Sequence, residues 1–335
     1  MFDLDGSPWK ILGLAVAAVV LGVVGFVAAL PRIVQPFLAL VLRLRYNLRA
    51  VGLEDLPRTG PVLLVSNHVT WYDGFFLAAT LPRRGTALVN AGVFRLPVVG
   101  YLARRCGLLS IPYTGPRAQR AAIDSARKAL DDGLLLGIFP EGQLTRTGLT
   151  GPFHRGLEVI LHHRDDIPVV PVFIDGAWGS LLSYSGRRFV RKWPQGLRRT
   201  IVVSFGPPIE PPVTAFSARQ AVLAAGVRAR ASFPKPPRPL ENLDPALPHF
   251  EHPTLGPLTG STPDEVLNDA RQVGQKPGTV GHALPGIAIR AIDDSGRPLP
   301  ADAEGSLQAL MPGRDGWQGV DRRGRLDRDG FVTLA

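Results

Sequence analysis

The chain has 335 residues, 45% of them hydrophobic, enough to bury a substantial core, and this excludes wholesale disorder. Its 38 Lys+Arg against 28 Asp+Glu give a net charge of +10, which favours an anionic partner: nucleic acid, a phospholipid surface, or an acidic or phosphorylated substrate. A single cysteine, Cys106, excludes an internal disulfide and a cysteine-based metal framework.

Between Lys10 and Arg32 lie 21 uncharged residues. As a helix rising about 1.5 Å per residue they span roughly 30 Å, the hydrocarbon thickness of a bilayer, so a transmembrane helix is expected. Lys10 precedes this run, and Arg32, Arg43, Arg45 and Arg49 follow it. The positive-inside rule therefore places the remaining chain on the cytoplasmic side of an inner membrane. Asp3 and Asp5 stand where a cleaved signal peptide needs positive charge. After Pro36, FLALVLRLRYNLR reads as an apolar interfacial helix whose arginines snorkel toward lipid phosphate. An ordinary core-docking helix is the alternative. Residues 1–49 thus form a membrane region.

From residue 61 strands and helices alternate, which argues for a layered α/β domain over residues 50–232, a mixed sheet with flanking helices. Expected strands are 61–67, 86–90, 107–113, 134–139, 168–174 and 200–206; expected helices are 74–81, 117–131, 155–163 and 217–230. Pro171 lies in a strand-like run, which marks an edge, a bulge or a strand start.

The first strand leads into Asn67-His68-Val69-Thr70-Trp71-Tyr72-Asp73, an imidazole and a carboxylate five positions apart. On a straight helix, at about 100° per residue, they diverge, so a turn must intervene for them to touch. If they touch, Asp73 fixes the tautomer of His68 and stabilises its protonated form, making a general base for a hydroxyl proton. With no obvious nucleophile beside the pair, direct attack by a substrate alcohol suits it. The alternative is that Asp73 only caps the helix starting at Gly74 and His68 is a satisfied buried histidine. The fourth strand ends in Phe139-Pro140-Glu141-Gly142-Gln143-Leu144-Thr145-Arg146, an acid and an arginine at the carboxyl edge where α/β sheets place their sites. GVFRLPVVG, containing Arg95, lies between the two motifs, and VVPVFIDG follows them.

This combination resembles the glycerolipid acyltransferases of the lysophosphatidate acyltransferase type, whose blocks read NHxxxxD, GxxxR, FPEGTRS and VPV. The stretches AWGSLLSYSGRRFVRKWP and VSFGPPI extend the resemblance to the acyltransferase part of the bifunctional acyl-carrier-protein synthetase and 2-acylglycerophosphoethanolamine acyltransferase. The resemblance implies the glycerolipid acyltransferase fold and acyl transfer from an acyl carrier protein or coenzyme A thioester to a lysophospholipid hydroxyl. That lysophospholipid would be 2-acylglycerophosphoethanolamine or 1-acylglycerol-3-phosphate. It makes His68 the base and Asp73 its partner. Substrate contacts would come from Asn67, from Glu141 and Gly142 shaping the acceptor pocket, and from Arg95 and Arg146 on phosphate. Leu144 stands where the commonest third block has its arginine; Arg146 is the nearest one. No metal or redox cofactor is implied, and the partners are membrane phospholipid and the thioester carrier.

The basic, aromatic-rich stretch 176–209 carries Arg187, Arg188, Arg191, Lys192, Arg198 and Arg199 without an acid. It suits docking to lipid or to an acidic carrier; no nucleic-acid motif accompanies it. Residues 233–270 are too proline-dense for helix or sheet and read as a linker. Residues 271–335 return to strand-turn-strand alternation, with a hairpin signal at Asp294-Ser295-Gly296. This part, ending in GRLDRDGFVTL, resembles a truncated fragment of the adenylate-forming acyl-ligases. It lacks a Ser/Thr/Gly-rich ATP-phosphate loop, so no adenylating activity is expected of this small β-rich appendage.

Overall fold

The computed structural model describes residues 39–112, 115–187, 198–235, 237, 240, 243–267 and 270–335, together with helical residues at 13–14, 16–18, 21–22 and 36–37. A seven-stranded sheet organises residues 46–205. Its strands are β1 (Tyr46–Val51), β2 (Val62–Ser66), β3 (Gly85–Asn90), β4 (Leu109–Ile111), β5 (Leu135–Ile138), β6 (Val169–Asp175) and β7 (Arg199–Phe205). They lie in the order β1-β7-β6-β2-β5-β3-β4. Neighbours are parallel except β6 and β7, so the sheet is mixed and parallel-dominated, as expected. Every residue of β2, β5 and β6 is buried, which is why VLLVS, LLGI and VVPVFID are continuous apolar runs rather than alternating ones.

The helices are α1 (Asp73–Thr80), α2 (Ala91–Phe94), α3 (Pro97–Arg105), α4 (Pro116–Asp131), α5 (Gly156–Leu161) and α6 (Ala215–Ala231). Successive side chains of a strand point to opposite faces, and β2 divides accordingly. Leu63 and Val65 join the core under α4, α5 and α6, while Val62 and Leu64 join Phe76 of α1 and Phe205 of β7.

Three expectations need correction. The helix expected over residues 37–49 stops at Arg45, and the chain is extended from Tyr46. β1 pairs in parallel with β7 from Tyr46↔Arg199 to Val51↔Ser204, so a domain boundary at residues 49 and 50 would cut a strand. The cause is Tyr46, buried and edge-on to Phe76 with ring centroids 5.0 Å apart, which gains more from the core than from an interface. Second, Pro171 is neither at an edge nor at a strand start. It stands in the middle of β6, opposite Val65 of β2 and one residue beyond the Val172↔Phe205 pair that ends the β7 ladder, so its missing N–H breaks no rung. Its carbonyl still accepts from Gly206 N at 2.9 Å. Third, the proline-dense segment is not all linker. β8 (Phe250–His252), β9 (Gly256–Gly260), β10 (Glu265–Leu267) and β11 (Ala270–Gln272) all begin within 233–270. Pro253 sits in the turn between β8 and β9, and Pro257 sits beside a register shift, positions where a lost donor does little damage.

The chain ends in β12 (His282–Ala283) and the antiparallel run β13 (Ala288–Ile292), β14 (Gly305–Leu310), β15 (Gln318–Leu326) and β16 (Val332–Leu334). The expected turn at residues 293–297 forms around Asp293, whose Oδ1 accepts from Ser295 N and Arg297 N, both at 2.9 Å. This β module has its own core, including Leu258, Ile289, Leu307, Val320 and Leu326.

Most of the expected membrane span, and Arg188, Arg191 and Lys192 of the basic stretch, lie outside the described residues. Among the described residues no helix is long and apolar enough to cross a membrane. Residues 36–45 expose Phe37, Leu40, Val41 and Leu44 while burying Leu42.

Tyr46→Ala tests the strand at residue 46. Truncating a buried aromatic costs about 3–5 kcal/mol, so urea unfolding should show a loss of that size; a side chain lying at an interface would show almost none.

Candidate active site

The parallel strands β2 and β5 end on one edge of the sheet, and the chain that leaves each builds the site. His68 stands two residues beyond β2, and Asp73 is the first residue of α1. The intervening turn is closed by Asp73 N donating to Thr70 O at 3.2 Å. It brings His68 Nδ1 to 2.9 Å from Asp73 Oδ2. The same oxygen accepts from Val69 N (2.5 Å) and Thr70 N (2.8 Å), and Oδ1 accepts from Thr70 Oγ1 at 3.0 Å. Asp73 is fully buried, and these donors replace the water its charge has lost. None of them belongs to the helix that follows, so Asp73 is not acting as a helix cap. An ionised carboxylate only accepts, so Nδ1 carries the proton and Nε2 presents its lone pair. The imidazole stacks on Phe139 with centroids 4.3 Å apart, and its side chain is 23% exposed.

The second carboxylate does something the sequence did not suggest. Glu141 is 5% exposed, and both its oxygens are taken by backbone: Oε1 accepts from His68 N and Oε2 from Gly151 N, each at 2.8 Å. Burial pushes its carboxyl up to about 7, against the hydrogen bonds from Gly151 and His68 that favour the charged form. Thr145 N donates to His68 O at 2.9 Å, so the FPEG loop grips His68 at both backbone groups. Glu141, expected to shape the acceptor pocket, thus spends both its oxygens on the backbone of His68 and Gly151.

Asn67, expected among the substrate contacts, is likewise bonded to the protein's own backbone. It is 1% exposed, its Nδ2 donates to Ile174 O at 3.1 Å, and its Oδ1 accepts from Ile174 N at 2.8 Å. The amide is engaged at both ends and ties β2 to β6. Gly142 makes the turn, with φ +68° and an N–H donating to Phe139 O at 3.0 Å; it is exposed beside His154. Arg146 follows Thr145 directly and lays its guanidinium 3.3 Å from the centroid of Tyr184. Arg95 is exposed at the end of α2, and no described contact joins it to His68. The structure thus unites His68, Asp73, Glu141 and the residue before Arg146, and leaves Arg95 exposed at the end of α2. No group of His, Cys, Asp and Glu among the described residues is arranged to hold a metal.

Two participants escaped the sequence analysis, Phe139 and Arg219. Arg219 is 2% exposed and donates from Nε to Gly151 O (2.9 Å) and from Nη2 to Thr150 O (2.8 Å). A signal was present. The buried face of α6 runs through residues 215, 218, 219, 222, 223 and 226, and an arginine on that stripe needs a buried partner.

Residues 47–175 match the family model described as Acyltransferase. The enzyme class read from the H-x4-D and FPEG motifs agrees with that match. A chloroplastic 1-acyl-sn-glycerol-3-phosphate acyltransferase of Brassica napus is 30% identical over 132 residues, 39% of this chain and 38% of that protein. A 1-acyl-sn-glycerol-3-phosphate acyltransferase of Borreliella burgdorferi is 29% identical over 105 residues, 31% of this chain and 42% of that protein. This chain therefore matches well under half the length of these relatives. The crystal structure of the Thermotoga maritima 1-acyl-sn-glycerophosphate acyltransferase aligns with 61% of this chain and 81% of that one, at 18% identity and a TM-score of 0.49.

Two substitutions check these assignments. Asn67→Ala orphans two buried backbone groups of Ile174 and should cost about 1–3 kcal/mol of stability, read by denaturant unfolding. Glu141→Gln sets an amide N–H against a backbone N–H, and should lower kcat by about 10²-fold through misplacement of His68, with KM little changed.

Proposed function

We propose that the protein transfers an acyl chain from a thioester to the free hydroxyl of a lysophospholipid. The observation that carries this reading is the pair His68 Nδ1–Asp73 Oδ2 at 2.9 Å, in a part-exposed imidazole with no nucleophilic side chain hydrogen-bonded to it among the described residues. A base without a protein nucleophile acts on a hydroxyl supplied by the substrate. The names of the Brassica and Borreliella relatives support 1-acylglycerol-3-phosphate as the first acceptor to test. 2-Acylglycerophosphoethanolamine is the second, and acyl carrier protein and coenzyme A are the two candidate carriers.

The hydroxyl oxygen attacks the thioester carbonyl carbon as Nε2 of His68 takes its proton. Asp73 stabilises the resulting imidazolium without taking the proton itself. The tetrahedral intermediate collapses, the carbon–sulfur bond breaks, and the proton on Nε2 passes to the departing thiolate. One ester and one thiol result, and the balance requires no metal or redox partner. Arg146, with its orientation set by Tyr184, and the exposed Arg95 are the candidate phosphate contacts. The exposed Phe37, Leu40, Val41 and Leu44, with Arg43 and Arg45 among them, support presentation of lipid at the cytoplasmic face of a membrane.

His68→Ala should lower thioester-dependent acylation by about 10²–10⁴-fold while the melting temperature is kept. Membranes carrying the full chain, given acyl carrier protein or coenzyme A thioesters and a panel of lysolipids, provide the assay, with products identified by mass. Undiminished acylation by the variant would overturn the assignment.

A further inference from the structure

We infer that Arg219 is a positioning residue through which the C-terminal β module holds the backbone of His68. The inference rests on the acyl-transfer reading only for its kinetic consequence; the link itself is a matter of geometry. Arg219 lies on α6, and its fork of donors fixes two carbonyls of the loop after FPEG, those of Thr150 and Gly151. The N–H of Gly151 donates to Glu141, whose other oxygen accepts from His68 N. Two hydrogen bonds of 2.8 Å therefore separate the Gly151 peptide from the peptide of the base.

The other side of the guanidinium meets the module. Beyond β15, the residues Asp327, Arg328, Asp329 and Gly330 form a turn, closed by Gly330 N donating to Asp327 O at 2.9 Å. Asp327 Oδ1 stiffens it by accepting from Asp329 N (3.0 Å) and Phe331 N (2.9 Å). Gly330 has φ +90°, and a Cβ there would stand 2.0 Å from Arg219 Nη1 and 2.3 Å from Cζ. The turn thus packs its bare backbone onto the buried cation.

Charge makes the same connection. Glu141 on one side, and Asp327 and Asp329 on the other, face Arg219, and burial draws its pKa down only to about 10, so it stays charged at neutral pH. His282 of the module also faces it. That ring lies against Phe331, tilted by 45° with centroids 3.8 Å apart, and is held neutral by burial, its pKa falling to about 3. Lys276 is bound to Asp327 at 2.5 Å. The guanidinium is fixed by the loop's carbonyls on one side and covered by the module's backbone on the other, so displacing the turn must disturb the loop that Arg219 holds.

The experiment uses the full chain and two variants on opposite sides of the contact, Gly330→Ala on the module and Arg219→Lys on α6. Hydrogen–deuterium exchange is followed by mass spectrometry in peptides covering 66–70 and 139–151, with 62–65 of β2 as the internal reference. Both variants should exchange about tenfold faster in those two peptides and at the wild-type rate in β2. In the acylation assay kcat should fall by about the same factor with KM changed less than about twofold, and the double variant should lose no more than the worse single one, because both cut one link. Unchanged exchange at 66–70 and 139–151, or losses that multiply in the double variant, would overturn the inference. Arg219→Lys adds no atoms to the turn and carries the test alone if Gly330→Ala does not fold. Should the wild-type chain acylate none of the lysolipids, the acyl-transfer reading fails while the exchange data still decide the link.

Discussion

A carboxylate taken out of water must find donors to replace it, and in this protein two such carboxylates find theirs on either side of one histidine. Asp73 collects the Nδ1–H of His68, two backbone N–H groups and the Thr70 hydroxyl; Glu141 collects the backbone N–H of His68 and that of Gly151. One acid sets the tautomer and direction of the ring, and the other sets the height of the backbone that bears it. Neither can relax without orphaning buried donors, so the imidazole has little freedom beyond rotation against Phe139.

The sheet makes this arrangement possible. β2 and β5 are adjacent and parallel, so the two loops carrying His68 and Glu141 leave from the same edge, a few ångströms apart by construction. Asn67 extends the β2–β6 ladder one residue past the Ser66↔Val172 pair by gripping the peptide of Ile174 with its side chain, which fixes where the strand ends and the turn begins. Antiparallel β7 then carries the chain back along the sheet and into α6, whose buried stripe brings Arg219 under the same loop.

How much of this was legible depended on whether the signal was local. β2, β5 and β6 announced themselves as apolar runs, and His68 with Asp73 as an H-x4-D pair, because spacing and strand-end position are properties of a few consecutive residues. Tyr46 was misread because LRLRYNLR fits a basic apolar helix as well as it fits an outer strand; only its packing on Phe76, 30 positions away, decides the matter. Asn67 and Glu141 stand in their motifs, but their bonds to the backbone of residues 68, 151 and 174 do not show there. Sequence shows that a polar side chain sits in a motif, not whether its hydrogen bonds are used by substrate or by the protein's own backbone. Arg219 was missed because its partners lie near residues 141, 150 and 327, and no short window contains them.

This division of labour explains why the class of reaction is easier to read than its substrate. The groups that orient His68 are buried and bonded to one another, so the proposed role of a base follows from their geometry. The groups proposed to meet a headgroup are different: Arg95 and Gly142 are exposed, and Arg146 is oriented by a ring on another loop. Changing an exposed side chain costs the core little, so these positions are able to vary with the acceptor while the pair beneath them stays fixed. The long-range link through Arg219 belongs with the buried part. It would tie the backbone of His68 to a turn of the C-terminal module through the carbonyls of Thr150 and Gly151.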